Sequence, residues 1–142
     1  MIKTDGPVLV TGAAGFIGAK VVELLMDSGQ SVVGVDNLND YYDVRLKNYR
    51  INTLLGQAEP HQAIALSKDL GLLAKADLSN ESLSFYQADL EDQEVVNALF
   101  EVHKFKSVIN LAARAGVRYS MKNPHIYMTT NAMVTLNLLE AM

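Results

Sequence analysis

The sequence contains no cysteine. That excludes disulfides, a thiol nucleophile and sulfur-ligated metal together. Its three histidines, His61, His103 and His125, lie far apart without ligand spacing, so no metal centre is expected. No long basic run occurs and the net charge is −4, which argues against nucleic acid as a partner. No apolar run approaches the roughly 20 residues of a membrane-spanning helix, so no membrane partner is expected. Met1 leads almost directly into an apolar stretch, with no secretory pattern. Internal repeats and low-complexity runs are missing too. Together these absences fit a soluble protein of a reducing, cytoplasmic setting.

What is present is an ordinary globular balance. The 142 residues are 49% hydrophobic and 20% charged, enough for one domain with its own core.

The most informative stretch is Val8 to Gly18, VLVTGAAGFIG. Val8 to Val10 read as a short buried strand, a glycine-rich turn follows, and Ile17 to Ser28 reads as a helix. In that context Gly12 permits the tight turn, Gly15 lets a pyrophosphate approach the backbone, and Gly18 lets helix and strand pack closely. The free N–H groups of the helix start would face the phosphates. The spacing is G-x-x-G-x-x-G, and a dinucleotide site is the expected use. Ile17, Val21, Leu24 and Leu25 recur at helical spacing as the apolar face, and Gly29 ends the helix.

Ser31 to Asp36, SVVGVD, is the second expected strand, apolar until its final carboxylate. Asp36 suits the ribose-binding acid of a dinucleotide fold, or else it is a solvated turn residue. As a ribose ligand it would repel a 2′-phosphate and favour NAD over NADP. Asn37 to Asp43 reads as a loop. Val44 to Leu55 reads as a helix whose shared face holds Leu46, Tyr49 or Arg50, and Thr53 or Leu54. Gly56 to Glu81 reads as an insertion or lid-like segment with a short helix around Gln62 to Leu73.

Leu83 to Gln87 alternates as a strand and runs into Asp89, which suits either the adenine amino group or a helix N-cap. Leu90 would then pack on the adenine ring. The helix from Asp92 to Lys104 would bury Val95, Val96, Leu99 and Phe100. Ser107 to Leu111 is a fourth strand, ending in the small pair Ala112 and Ala113, which lets a flat ring come close. A loop, Arg114 to Asn123, precedes Pro124 at a first helical position. The last helix, His125 to Met142, carries a stripe of Tyr127, Asn131, Val134 and Leu138. A buried Asn131 would need partners, either a neighbouring loop's backbone or, by fixing that loop, the cofactor's surroundings.

The β-α-β-α-β-α-β-α alternation predicts an α/β fold. The expected architecture is the N-terminal half of a Rossmann-like doubly wound parallel sheet, strand order 3-2-1-4, ending before a fifth strand. The fourth strand would leave an open apolar edge, so a homo-oligomer or edge-strand association is expected.

TGAAGFIG, VD-N-L at Val35 to Leu38, ADL at Ala88 to Leu90 and NLAA at Asn110 to Ala113 resemble the extended short-chain dehydrogenase/reductase family. These are the NAD-dependent epimerases and dehydratases of nucleotide sugars. DNLNDYYDVRLK, Asp36 to Lys47, and AGVRYSMKNPHIY, Ala115 to Tyr127, resemble the branch that epimerises UDP-glucuronate at C4.

The resemblance implies NAD as cofactor and a UDP-sugar as substrate of the parent enzyme. Gly12, Gly15, Phe16, Ile17 and Gly18 would hold the pyrophosphate. Asp36 and Asn37 would hold the adenosine ribose, and Asp89 and Leu90 the adenine. Leu111, Ala112, Ala113 and Arg114 would lie along the cofactor, with Asn131 as the family's helix asparagine. Gly116, Val117 and Arg118 would face the sugar nucleotide. Arg118 would meet an anionic group, or is simply an exposed arginine.

The family's chemistry uses a Ser/Thr and a Tyr-x-x-x-Lys pair beyond a fifth strand. No tyrosine of this sequence has a lysine four residues on. No catalytic residue is therefore assigned. The chain reads as the N-terminal, cofactor-binding part of an epimerase, inactive alone. A non-catalytic NAD-binding or interaction module, or part of a related UDP-sugar decarboxylase or dehydratase, are the alternatives.

Overall fold

Val8–Thr11 is buried at every position, as a strand covered on both faces requires, and forms β1 at the heart of the sheet in a computed structural model. The structure describes residues 5–142, and of residues 68–70 only the backbone. The expected direct run from Met1 into the first strand concerns residues 1–4, outside those described.

The elements follow in order. α1 (Phe16–Asp27) leads to β2 (Val32–Asp36) and α2 (Val44–Leu54). β3 (Leu66–Leu70), β4 (Leu73–Ala76) and β5 (Leu83–Gln87) come next, then α3 (Gln93–Val102) and β6 (Ser107–Asn110). A short α4 (Val117–Lys122) precedes α5 (Pro124–Tyr127), a π-helical stretch Met128–Met133, and α6 (Val134–Ala141).

The sheet order is β3-β4-β5-β2-β1-β6. β5, β2, β1 and β6 run parallel, and they are the four strands expected, in the expected 3-2-1-4 order. β3 and β4 extend the sheet beyond β5 as an antiparallel pair. This corrects the helix expected around Gln62 to Leu73. Gly71 turns the chain there with φ +68°, and buried Leu73 and Ala76 anchor β4 to the sheet.

The strands alternate between two cores. Val8, Val10, Val32, Leu83 and Phe85 face α1 and α2, where Val22, Ile51 and Leu55 meet them. Leu9, Val33, Val35 and Tyr86 face α3 and α6, meeting Val95, Val96, Leu99, Val134 and Leu138. The α3 face is as expected, with Phe100 only partly buried.

Two helix faces differ from their expected ones. α1 buries Gly18, Ala19 and Val22, while Ile17 and Leu24 are exposed. Small residues let the helix sit close to β1, which turns Ile17 and Leu24 outward while Val21 and Leu25 stay partly buried against the core. α2 buries Lys47, Ile51 and Asn52, and leaves Leu46 and Tyr49 exposed. The expected loop from Arg114 to Asn123 also contains α4, begun by Gly116 at φ +115°.

Candidate functional site

The carboxyl ends of β1, β2 and β6 lie level, since Thr11 registers with both Val35 and Asn110. Just beyond them opens a cleft of about 130 Å³. Ligands of open α/β sheets bind at this end, where the strand order reverses about the first strand.

The glycine turn forms its floor. Gly12 adopts φ +64°, and a Cβ there would come within 2.9 Å of the Leu111–Ala112 backbone. A Cβ on Gly18 would overlap the Gly12 carbonyl oxygen. The turn is closed by Gly15 N–H donating to the Gly12 carbonyl at 2.9 Å. Ala19 N–H is the first to donate back into the helix, to Gly15 O at 3.0 Å. The N–H groups of Phe16, Ile17 and Gly18 precede it, in the first-turn positions that have no partner within a helix.

Thr11 joins this floor to the opposite wall. Its hydroxyl donates to Asn110 Oδ1 at 2.5 Å and accepts the N–H groups of Leu111 and Ala112, each at 3.0 Å. Leu111, Ala112, Ala113 and Arg114 therefore leave β6 along the cleft and line it.

Asp36 closes β2 and is buried. Its Oδ2 accepts Ala14 N–H of the glycine turn at 3.2 Å, and its Oδ1 accepts Leu38 N–H at 2.8 Å. Lys47, reaching down from α2, places Nζ 3.3 Å from Oδ1 and donates to Asn39 Oδ1 at 3.0 Å. The ammonium also lies 5.2 Å from the Tyr42 ring centroid. A second α2 cation, Arg50, donates to the Ala14 carbonyl at 3.1 Å and to the Tyr42 hydroxyl at 2.8 Å. Thus α2 braces both the turn and the acid beside it.

The β5 side supplies Ala88, Asp89, Leu90 and Glu91. Asp89 is exposed and accepts Glu91 N–H at 3.0 Å, while Asp92, not Asp89, caps α3 by accepting Glu94 N–H at 2.9 Å. Leu90 is buried within the α3–α6 core and also lines the cleft. Asn37 is exposed, and its Oδ1 accepts Asn39 N–H at 3.1 Å.

The final helical stretch forms the far wall. Asn131 is exposed rather than buried, correcting its expected place in the stripe. Its partners are nonetheless a loop backbone. Oδ1 accepts Arg114 N–H at 2.8 Å, and Nδ2 donates to Arg114 O at 3.0 Å. The neighbouring Thr130 accepts from Arg114 Nε at 3.3 Å and donates to Glu91 Oε1 at 2.5 Å. Both residues lie in the π-helical stretch Met128–Met133. Such turns often occur at functional sites. The buried amide lies further on, in α6: Asn137, whose Nδ2 donates to Leu90 O at 3.0 Å.

Gly116, Val117 and Arg118 are exposed beyond the cleft. Tyr127 donates to Gly116 O at 2.9 Å. Desolvation, then the adjacent Tyr41 phenol, raise the Tyr127 pKa above its ordinary value, the wrong direction for a tyrosinate base.

Of the residues singled out in the sequence, Gly12, Gly15, Asp36, Asn37, Asp89, Leu90 and Leu111 to Arg114 line the cleft. Phe16 and Ile17 are not in its lining: their side chains are exposed and border a separate groove between α1 and α2. Sequence reasoning missed Asn39, Tyr41, Lys47, Glu91 and Thr130, all of which line it. The only signal for Lys47 was its place one turn before Ile51, on the face that packs inward.

A model of the NAD dependent epimerase/dehydratase family matches residues 8–142. The chain belongs to this family. A UDP-glucuronate 4-epimerase of Thermodesulfobacterium geofontis is 43% identical over 137 residues, 96% of this chain and 35% of that protein. UDP-glucuronate 4-epimerase 4 of Arabidopsis thaliana is 38% identical over 133 residues, 94% of this chain and 25% of that protein. Among solved structures, a UDP-glucose 4-epimerase of Stenotrophomonas maltophila with bound NAD and formylated UDP-arabinopyranose is 30% identical with a TM-score of 0.68. That match covers 96% of this chain and 33% of the other. The chain thus spans a quarter to about a third of the length of these relatives.

NAD is the cofactor of the family, and the cleft fits it on its own terms. The glycine turn is a cradle that side chains at Gly12 and Gly18 would disrupt. Asp36 Oδ2 accepts a single hydrogen bond and keeps acceptor capacity for a hydroxyl.

Proposed function

We propose that this chain is the NAD-binding part of a nucleotide-sugar 4-epimerase that interconverts UDP-glucuronate and UDP-galacturonate. The observation that carries the reading is Asp36, a buried carboxylate tied to the glycine turn through Ala14 N–H and bordering the cleft. An acid there takes a ribose hydroxyl and opposes a 2′-phosphate. The choice of uronic acid rests on Asp36 to Lys47 and Ala115 to Tyr127, and on the similarity to the Thermodesulfobacterium and Arabidopsis epimerases.

In this reading Gly12, Gly15, Phe16, Ile17 and Gly18 receive the pyrophosphate through backbone N–H groups. Asp36 and Asn37 hold the adenosine ribose, with Lys47 beside them, and Asp89 and Leu90 border the adenine. Leu111 to Arg114 run along the cofactor, held there by Thr11 and Asn131. Gly116, Val117 and Arg118 face the sugar nucleotide, where the guanidinium of Arg118 offers a bidentate site for an anionic group. Bound NAD supplies a reversible two-electron acceptor for the sugar's C4. The residues of this chain bind and orient. None of them is assigned the transfer of the C4 hydroxyl proton, because no Tyr-x-x-x-Lys occurs in the 142 residues. The edge of β6 is the natural place for further strand pairing, with another part of the parent or a second copy.

Thermal unfolding with and without NAD tests the binding. A hundred-fold excess over Kd stabilises by about 2.7 kcal/mol, and an Asp36→Ala variant loses most of that shift. An unchanged midpoint in the unsubstituted chain refutes the reading. Incubating the purified chain with NAD and UDP-glucuronate is expected to give no UDP-galacturonate, and turnover above background would overturn the assignment of no catalytic residue.

A further inference from the structure

Two segments, Asn37 to Asp43 and Ala115 to Tyr127, lie over seventy residues apart in sequence, yet they meet at one point. The Tyr41 hydroxyl donates to the carbonyl oxygen of Ala115. The Tyr127 hydroxyl reaches the same oxygen at 3.2 Å and Gly116 O at 2.9 Å. A carbonyl with two phenols on it is a fixed point in an otherwise exposed loop.

The local chemistry of Gly116 depends on that fixed point. Its φ of +115° disfavours any other residue, and a Cβ there would stand 2.6 Å from the Tyr41 oxygen. Gly116 is also the residue from which α4 starts, carrying Val117 and Arg118. Arg118 is exposed and, among the described residues, makes no hydrogen bond or ion pair. Its placement therefore follows from the backbone at Ala115 and Gly116.

The other end of Tyr41 leads into the cleft. Its N–H donates to Asn39 Oδ1 at 3.4 Å, the oxygen that also accepts Lys47 Nζ. Lys47 in turn pairs with Asp36. Leu38, between Asp36 and Asn39, holds φ +53°, so the loop makes a tight turn that ties these side chains together. Tyr41 itself lines the cleft.

We infer that Tyr41 is a positioning residue whose hydroxyl joins the ribose side of the nucleotide cleft to the Ala115–Gly116 turn, so that a nucleotide in the cleft orders the segment carrying Arg118. The inference rests on reading the cleft as a nucleotide site. A ligand engaging Asp36, Asn39 and Lys47 fixes the loop on which Tyr41 rides, and the phenol passes that order to Ala115. Binding of the cofactor thereby prepares the segment for the sugar nucleotide.

Hydrogen exchange of the amides of Gly116 to Tyr119 tests this on the 142-residue chain, with and without NAD, alongside calorimetric NAD affinity. In the unsubstituted chain NAD slows their exchange by about ten-fold, as expected when a loop loses local opening. Tyr41→Phe keeps the ring and loses the bond. Compared at saturating NAD, with its own affinity taken from the calorimetry, it is expected to lose the NAD-dependent slowing. Tyr127→Phe is the control for a merely structural tie: exchange rises with and without NAD, and the slowing by NAD persists. Equal slowing in Tyr41→Phe and the unsubstituted chain overturns the inference and leaves the nucleotide site standing. Absence of NAD binding by the unsubstituted chain overturns both.

Discussion

Lys47 Nζ lies 3.3 Å from Asp36 Oδ1, and the two side chains are 6% and 7% exposed. A buried ion pair contributes little net stability over an apolar pair, but removing one partner strands the other charge. The sequence offered Asp36 as a lone acid. The structure makes it half of a pair braced by the glycine turn on one side and α2 on the other.

Lys47→Met is therefore expected to lower stability by about 3 kcal/mol, because Asp36 then keeps a buried charge without its cation. Urea unfolding of the variant measures this. A loss within ~0.5 kcal/mol, as for a surface substitution, would show that the pair is not buried in solution.

Asp36→Ser in the presence of Lys47 reverses the electrostatics at the ribose. The ammonium loses its carboxylate, and in the proposed site it is then free to attract a 2′-phosphate. NADP affinity is expected to rise relative to NAD by about ten-fold or more, of the order of 1.4 kcal/mol. Competitive titration of the two nucleotides reads the ratio directly, and an unchanged ratio would remove Asp36 from the ribose site.

Gly18→Ala places a Cβ into the Gly12 carbonyl oxygen. Backbone cannot yield as a flexible side chain does, so α1 must move away from the turn. Overpacking of this kind costs about 1–3 kcal/mol, and NAD affinity should fall as well. An alanine variant that binds NAD as tightly as the unsubstituted chain would show that close packing here is dispensable.

Much of this geometry was legible beforehand, for a physical reason. Parallel strands covered on both faces need continuous apolar runs, so Val8 to Val10 and Val32 to Val35 stood out and the core strand order followed. The glycines mattered through backbone geometry, which residue identity reports directly. The rest was hidden where burial contradicted residue type. α1 packs through Gly18, Ala19 and Val22, with Val21 and Leu25 partly buried beside them, and leaves Ile17 and Leu24 outside, so hydrophobic spacing placed only half of that face. Lys47 gave no sign of its burial, because lysine is almost never fully buried unless paired. Leu66 to Ala76 mixes apolar and polar residues without clear alternation, and it is pairing with β3 and β5 that makes β4 a strand.

His103 sets a pH dependence outside the site. Its Nε2 lies 2.8 Å from the Tyr86 hydroxyl, and burial, then the charge of Lys75, lower its pKa below the ordinary 6.5. The unfolded chain therefore binds more protons than the folded one just below that pH. The His103 contribution is complete above about 6.5 and is lost as pH falls through the lowered folded value. His103→Gln should flatten the stability profile in that window while leaving the acid limb from carboxylates such as Asp43, lowered to about 2 by Arg45, in place. A slope just below pH 6.5 that persists in the variant would assign it to other groups.

Calorimetric titration of the purified chain with NAD and, separately, with NADP tests the central claim most directly. The account predicts micromolar NAD binding with NADP weaker by about ten-fold or more, because in the proposed site Asp36 presents a carboxylate to the ribose. Binding of neither nucleotide, or of both equally, would contradict it.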